Sequence, residues 1–173
     1  MARTVLIGAL VVLALAGAAQ AQPSAGTLAC RGGGALGREV VQTAVSSPFF
    51  AFATRRSGPP QSCTITNRAG NLDARVSFPD GTALTIEASP DIGVAAYSLV
   101  LPARPDDARA IALLGRMANW ALAPDGCGLT STRLRGMLAG ASGGEVEGDV
   151  CNCRAALSRG EGGTVTLSFS SAC

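Results

Sequence analysis

Six cysteines, Cys30, Cys63, Cys127, Cys151, Cys153 and Cys173, constrain this chain more than any other feature. An even cysteine count behind an export signal reads as a disulfide framework. The signal lies at the amino terminus. Arg3 precedes an apolar run from Val5 to Ala18, broken only by Gly8 and Gly17, and Ala19-Gln20-Ala21 has the small-x-small form of a cleavage site. That run is shorter than the roughly 20 apolar residues a spanning helix needs. Residues 1–21 are therefore read as a cleaved signal peptide and residues 22–173 as a single disulfide-stabilised domain. No membrane anchor is expected after cleavage, and the expected location is periplasmic or extracellular, reached by bacterial-type export.

Six cysteines allow 15 pairings. Those joining Cys151 to Cys153 are set aside, because side chains one residue apart do not close a relaxed bridge. The split into two early and four late cysteines favours Cys30 with Cys63. It distributes Cys127 and Cys173 over Cys151 and Cys153 in an order the sequence leaves open.

Every basic side chain is Arg; the chain has neither Lys nor His. This excludes Ser-His-Asp and Cys-His catalysis, His-based metal sites, Schiff-base chemistry and the Lys-containing phosphate loop. Without Arg3 the balance is 13 Arg against 12 acids, near neutrality. Nucleic-acid binders carry a basic stripe with interleaved aromatics, whereas Arg55-Arg56 and Arg133/Arg135 are the only local basic clusters, so nucleic acid is not an expected partner. Gly32-Gly33-Gly34-Ala35-Leu36-Gly37 matches G-x-G-x-x-G by letter, but residues 52–62 hold no acid at the distance a dinucleotide site requires. It is read as a glycine turn beside Cys30.

The core must be built largely of Ala, Val and Leu. Ala74, Val76 and Phe78 alternate with polar neighbours, Pro79-Asp80-Gly81 turns, and Thr82, Leu84 and Ile86 alternate again, which predicts a hairpin with one dry face. Cys63–Thr66 and Val94–Leu101 add strands on either side, and Val165, Leu167 and Phe169 close the chain with another. Phe49–Thr54 reads as a buried strand. Arg38–Ser46 fits helix or strand equally. Pro105-Asp106-Asp107 suits a helix start, and Ile111, Leu114, Ala118, Ala121 and Leu122 recur at helical spacing. A shorter helix is expected over Leu129–Ala139, with Leu134, Met137 and Leu138 inward. The fold class expected is α+β: an antiparallel sheet of about five or six strands covered by one or two helices from residues 105–140.

The densest carboxylates meet the late cysteines in Glu145-Val146-Glu147-Gly148-Asp149-Val150-Cys151-Asn152-Cys153. If extended, this stretch puts Glu145, Glu147, Asp149, Cys151 and Cys153 on one face; a bulge at Gly148 would rotate the acids away. Neighbouring acids on such a strand stand about 6.7 Å apart, compatible with an acid and base pair acting on a glycosidic bond. A solvated acidic edge is the simpler reading. No Ca²⁺-binding loop motif is present, and Cys151-Asn152-Cys153 lacks redox or zinc spacing, so no metal or cofactor is expected. Tyr97 and Trp120 read as core or rim residues, and as a carbohydrate or peptide platform only if both face one cleft. The functional expectation is an exported, non-catalytic binding or structural protein whose partner is a protein or envelope component. The competing expectation is a carboxylate-dependent hydrolase of envelope or extracellular polymers, with Glu145, Glu147 or Asp149 as acid and base.

Overall fold

The alternation of apolar and polar residues is realised as a seven-stranded antiparallel sheet with helices packed against one side. This computed structural model describes residues 28–68, 70–89, 93–103, 105–121, 126–137, 140 and 142–172. The expected signal peptide, Leu122, Leu138 and Cys173 lie outside them. The strands are β1 (Ser62–Arg68), β2 (Asn71–Ser77), β3 (Ala83–Ser89), β4 (Gly93–Leu101), β5 (Gly143–Glu147), β6 (Arg154–Arg159) and β7 (Val165–Ser170), in the spatial order β1-β2-β3-β4-β7-β6-β5. The class is α+β, as the sequence predicts, with one more strand than the upper expectation. The additional strand arises because the stretch from Glu145 to Cys153 folds back, and the chain after Cys153 becomes β6.

Strand register sorts the side chains into rows. Ile65, Ala74, Ile86, Tyr97, Phe169, Ala155 and Val146 face one another in succession from β1 to β5, and Cys63, Val76, Leu84, Leu99, Leu167, Leu157 and Gly144 form the next row. Both rows lie on the helix-covered side. Leu84, Leu99 and Leu167 are fully buried on three adjacent strands, where truncating a single Leu to Ala costs about 2–5 kcal/mol. The β2–β3 hairpin closes through Phe78 N–H to the Thr82 carbonyl and Thr82 N–H to Asp80 Oδ1, both 2.9 Å. Burial pushes the Asp80 carboxyl up, but hydrogen bonds from Thr82 and Ser57 and the Arg56 guanidinium together hold it below its ordinary value.

Four helices supply the cover: α1 (Gly34–Ser46), α2 (Pro48–Ser57), α3 (Asp107–Ala121) and α4 (Ser131–Gly136). The ambiguous segment is helical, with Val40, Val41 and Ala44 buried. The glycine turn beside Cys30 is real: Gly32, Gly33 and Gly34, the last of them the first residue of α1, all have positive φ, a conformation that costs Gly little. The strand expected over Phe49–Thr54 is instead α2. Phe49, Phe50 and Ala53 are its buried residues, the i, i+1, i+4 pattern of a helix, and Phe50 packs on Phe78 at 6.0 Å between centroids. Ser47 decides the outcome. Its hydroxyl accepts the Phe50 N–H at 3.1 Å and donates to the Ala44 carbonyl at 2.7 Å, so one fully buried side chain ends α1 and caps α2.

The helix expected from Pro105-Asp106-Asp107 is α3. Asp106 Oδ1 accepts the Arg109 N–H at 2.8 Å, and Ile111, Leu114 and Ala118 are buried as the spacing predicts. The shorter predicted helix is confined to α4, with Leu134 and Met137 buried.

Ser47→Ala is expected to lower unfolding free energy by about 1–2 kcal/mol, the upper range for loss of a cap. Denaturant titration checks it, and an unchanged midpoint would mean that the hydroxyl does not link the two helices.

Candidate functional site

The acidic stretch is extended only as far as Glu147. Beyond it, Gly148 N–H donates to the Cys153 carbonyl at 2.8 Å, and Cys151 and Asn152 adopt positive φ, reversing the chain into β6. The single face expected for Glu145, Glu147, Asp149, Cys151 and Cys153 is therefore divided. Glu145 and Glu147 share a face of β5, where Arg154 lies 3.4 Å from the first and 2.7 Å from the second. Asp149 sits in the turn, held at 2.7 Å by Arg133 of α4. These pairs are half exposed, so each contributes at most about 1 kcal/mol. Their consequence is geometric: a guanidinium already serves both β5 carboxylates.

The cysteine corner explains the turn. Disulfides join Cys30 to Cys63 and Cys127 to Cys153, and Cys151 is also disulfide-bonded. A Cβ on Gly148 would overlap both the Cys127 carbonyl oxygen and the Cys153 sulfur, so glycine is required there by close approach rather than by a bulge. Asp149 N–H donates to the Cys127 carbonyl and Ala172 N–H to that of Cys151. The described non-glycine residues with positive φ, Cys127, Cys151 and Asn152, all belong to this corner. It ties α3, α4, the β5–β6 turn and the end of β7 together, as a structural site.

A second arrangement emerges only from strand pairing. On the helix-free side the register places Thr64, Arg75, Thr85, Ser98, Ser168, Ala156 and Glu145 in one row. Thr66, Asp73, Glu87, Ala96, Ser170, Arg154 and Glu147 form the next. Small side chains in the middle of each row leave a shallow trough of about 440 Å³. Thr85, Ser98, Ser168 and Ser170 are half-buried in it, and their hydroxyls bond to no other described side chain. Glu87 bounds one wall, Glu145 and Arg154 the other. Asp73 and Glu87 lie directly opposite each other on β2 and β3, a like-charge pairing that is unfavourable, and neither has an ion-pair partner among the described residues.

Sequence reasoning singled out Glu145 but not Glu87, Ser98, Ser168 or Arg154. Ser168 lies between the inward-facing Leu167 and Phe169, yet its meeting with Ser98, 70 residues earlier, carries no local signal. Tyr97 and Trp120 do not form an exposed platform. They meet edge-on on the helix-covered side, with centroids 5.5 Å apart, and burial pushes the Tyr97 phenol up. Among the described residues, no cluster of Cys, Asp or Glu is placed to hold a metal ion, and no helix is long and apolar enough to cross a membrane. No protein-family model, curated protein or solved structure matches the chain.

A non-reducing peptide map of the oxidised protein is expected to join Cys151 to Cys173, the one remaining cysteine of the sequence, alongside Cys30–Cys63 and Cys127–Cys153. Alkylation of Cys151 without prior reduction would contradict that pairing.

Proposed function

We propose that this is an exported, non-catalytic binding protein that receives a polar ligand across the helix-free face of its sheet. The observation that carries this reading is the row of Thr85, Ser98, Ser168 and Ala156, small side chains contributed by four adjacent strands to one half-buried floor. Such a floor admits the backbone of an extended chain and offers it hydroxyl donors and acceptors. It lacks the exposed aromatic rings that stack on sugars. The acids give the ligand its charge: Glu87 and Asp73 are adjacent and have no ion-pair partner among the described residues, so a ligand with a cationic group near β3 relieves their repulsion. A basic segment of a protein or envelope component meets both requirements. The disulfides and the amino-terminal sequence support export to an oxidising compartment.

The competing hydrolase reading draws less support. A catalytic acid and base need substrate between them, whereas Arg154 contacts both Glu145 and Glu147, and the trough beside them is open to solvent.

The test uses a synthetic Ser-Lys repeat peptide and amide NMR of the mature protein. Saturable shifts are expected at residues 85–87, 96–98, 154–156 and 168–170, with none from a Ser-Glu repeat. Glu87→Gln is expected to weaken binding about tenfold, the equivalent of 1.4 kcal/mol. Shifts confined to other surfaces, or equal response to the two peptides, would overturn the assignment.

A further inference from the structure

A second groove, independent of the sheet face, lies on the helical layer. It measures about 520 Å³ and runs between α2, which contributes Phe52, Arg55 and Arg56, and α3, which contributes Arg109, Ala112 and Arg116. Four arginines thus line one concavity, and Asp106 is the one carboxylate among its described lining residues.

The acids near this groove are already engaged. Asp80 lies 3.5 Å from Arg56, which also donates to the Ala103 carbonyl at 3.1 Å. Asp106 is committed to residue 109 through both oxygens: one accepts its N–H, the other lies 3.0 Å from its guanidinium. Arg55 and Arg116 have no carboxylate partner among the described residues. Four arginines against Asp80 and Asp106 leave a local surplus of two, while residues 22–173 as a whole carry 13 Arg against 12 acids, a surplus of one. Among the described residues the rest of the charges balance, eight Arg against eight acids, so their positive surplus lies at this groove.

Helix-end electrostatics does not account for the cluster. Arg55 and Arg56 suit the last turn of α2, but Arg109 stands in the first turn of α3, the end that disfavours a cation, and Arg116 lies mid-helix. Phe52 and Ala112 add apolar surface beside the charges, which reduces the competition of water for a bound anion.

We infer that this groove is an oxyanion site that binds a phosphate or sulfate group through Arg55 and Arg116. The planar fork of each guanidinium matches two oxygens of such a group. Arg56 and Arg109, held in place by their carboxylates, supply the surrounding positive field. Two sources present this chemistry outside the cytoplasm: a soluble phosphate or sulfate ester and a phospholipid headgroup.

Isothermal titration of the mature protein with inorganic pyrophosphate, and sedimentation with phosphatidylcholine vesicles containing phosphatidylglycerol, separate the two sources. Arg55→Gln/Arg116→Gln is compared with Arg68→Gln/Arg75→Gln, which removes the same charge from exposed positions on β1 and β2. Saturable binding of either probe, weakened about tenfold by the first pair of changes and less than about twofold by the second, is the expected result for a fork-matched site. Pyrophosphate dependence identifies a soluble ligand, and vesicle dependence alone a headgroup. Absence of saturable binding to both probes, or equal weakening by the two double variants, would overturn the site.

Discussion

Each strand of this protein has one apolar face, and the helices cover one side of the sheet; everything else follows from how register aligns those faces. Seven strands paired without a break carry Ile65 to Val146 and Cys63 to Gly144 across the molecule as continuous rows. A shift of one residue in any pair would turn that strand's apolar set toward water. The core is light, with few aromatic residues, and two disulfides cross-link it. Cys30–Cys63 ties the entry of α1 to the edge strand β1, and Cys127–Cys153 ties the loop after α3 to the start of β6. Disulfides of this kind stabilise mainly by restricting the unfolded chain.

The same register creates the surface on the other side. Positions facing away from the helices are filled in the centre by Ser, Thr and Ala and at the margins by charged groups. Charge is distributed unevenly as well. The helical layer gathers four arginines into one groove, while Asp73, Glu87, Glu145 and Glu147 lie on the opposite face with Arg75 and Arg154. The domain is near neutral overall but has poles of opposite sign on its two layers, a property that orients approaching charged partners.

What was legible in the sequence was local. The β2–β3 hairpin, α3 and β7 follow from periods of two and 3.6 read within a dozen residues, and Cys30–Cys63 follows from the spacing of cysteines. Three Phe in four positions at 49–52 favour a strand by propensity; the Ser47-Pro48 cap and packing against Phe78 outweigh that preference. The end of β5 was hidden for another reason. Cys151 and Asn152 take left-handed backbone angles that single residues do not announce, and these accompany closure of the cysteine corner. The trough and the arginine groove were the least legible, because both are made by elements far apart in sequence. Arg55-Arg56 was visible as a pair, but its meeting with Arg109 and Arg116 is a product of α2 lying beside α3.

The helix-free face, proposed above as the ligand surface, is open to solvent in the free protein. Solvent paramagnetic relaxation with a neutral gadolinium agent measures this directly. Strong attenuation is expected for side-chain protons of Thr85, Ala96, Ser98, Ala156 and Ser168, with those of Leu84, Leu99 and Leu167 unaffected. Equal protection of the two sets would show that the face is covered by another part of the chain or by a second copy, and would contradict its assignment as a ligand surface.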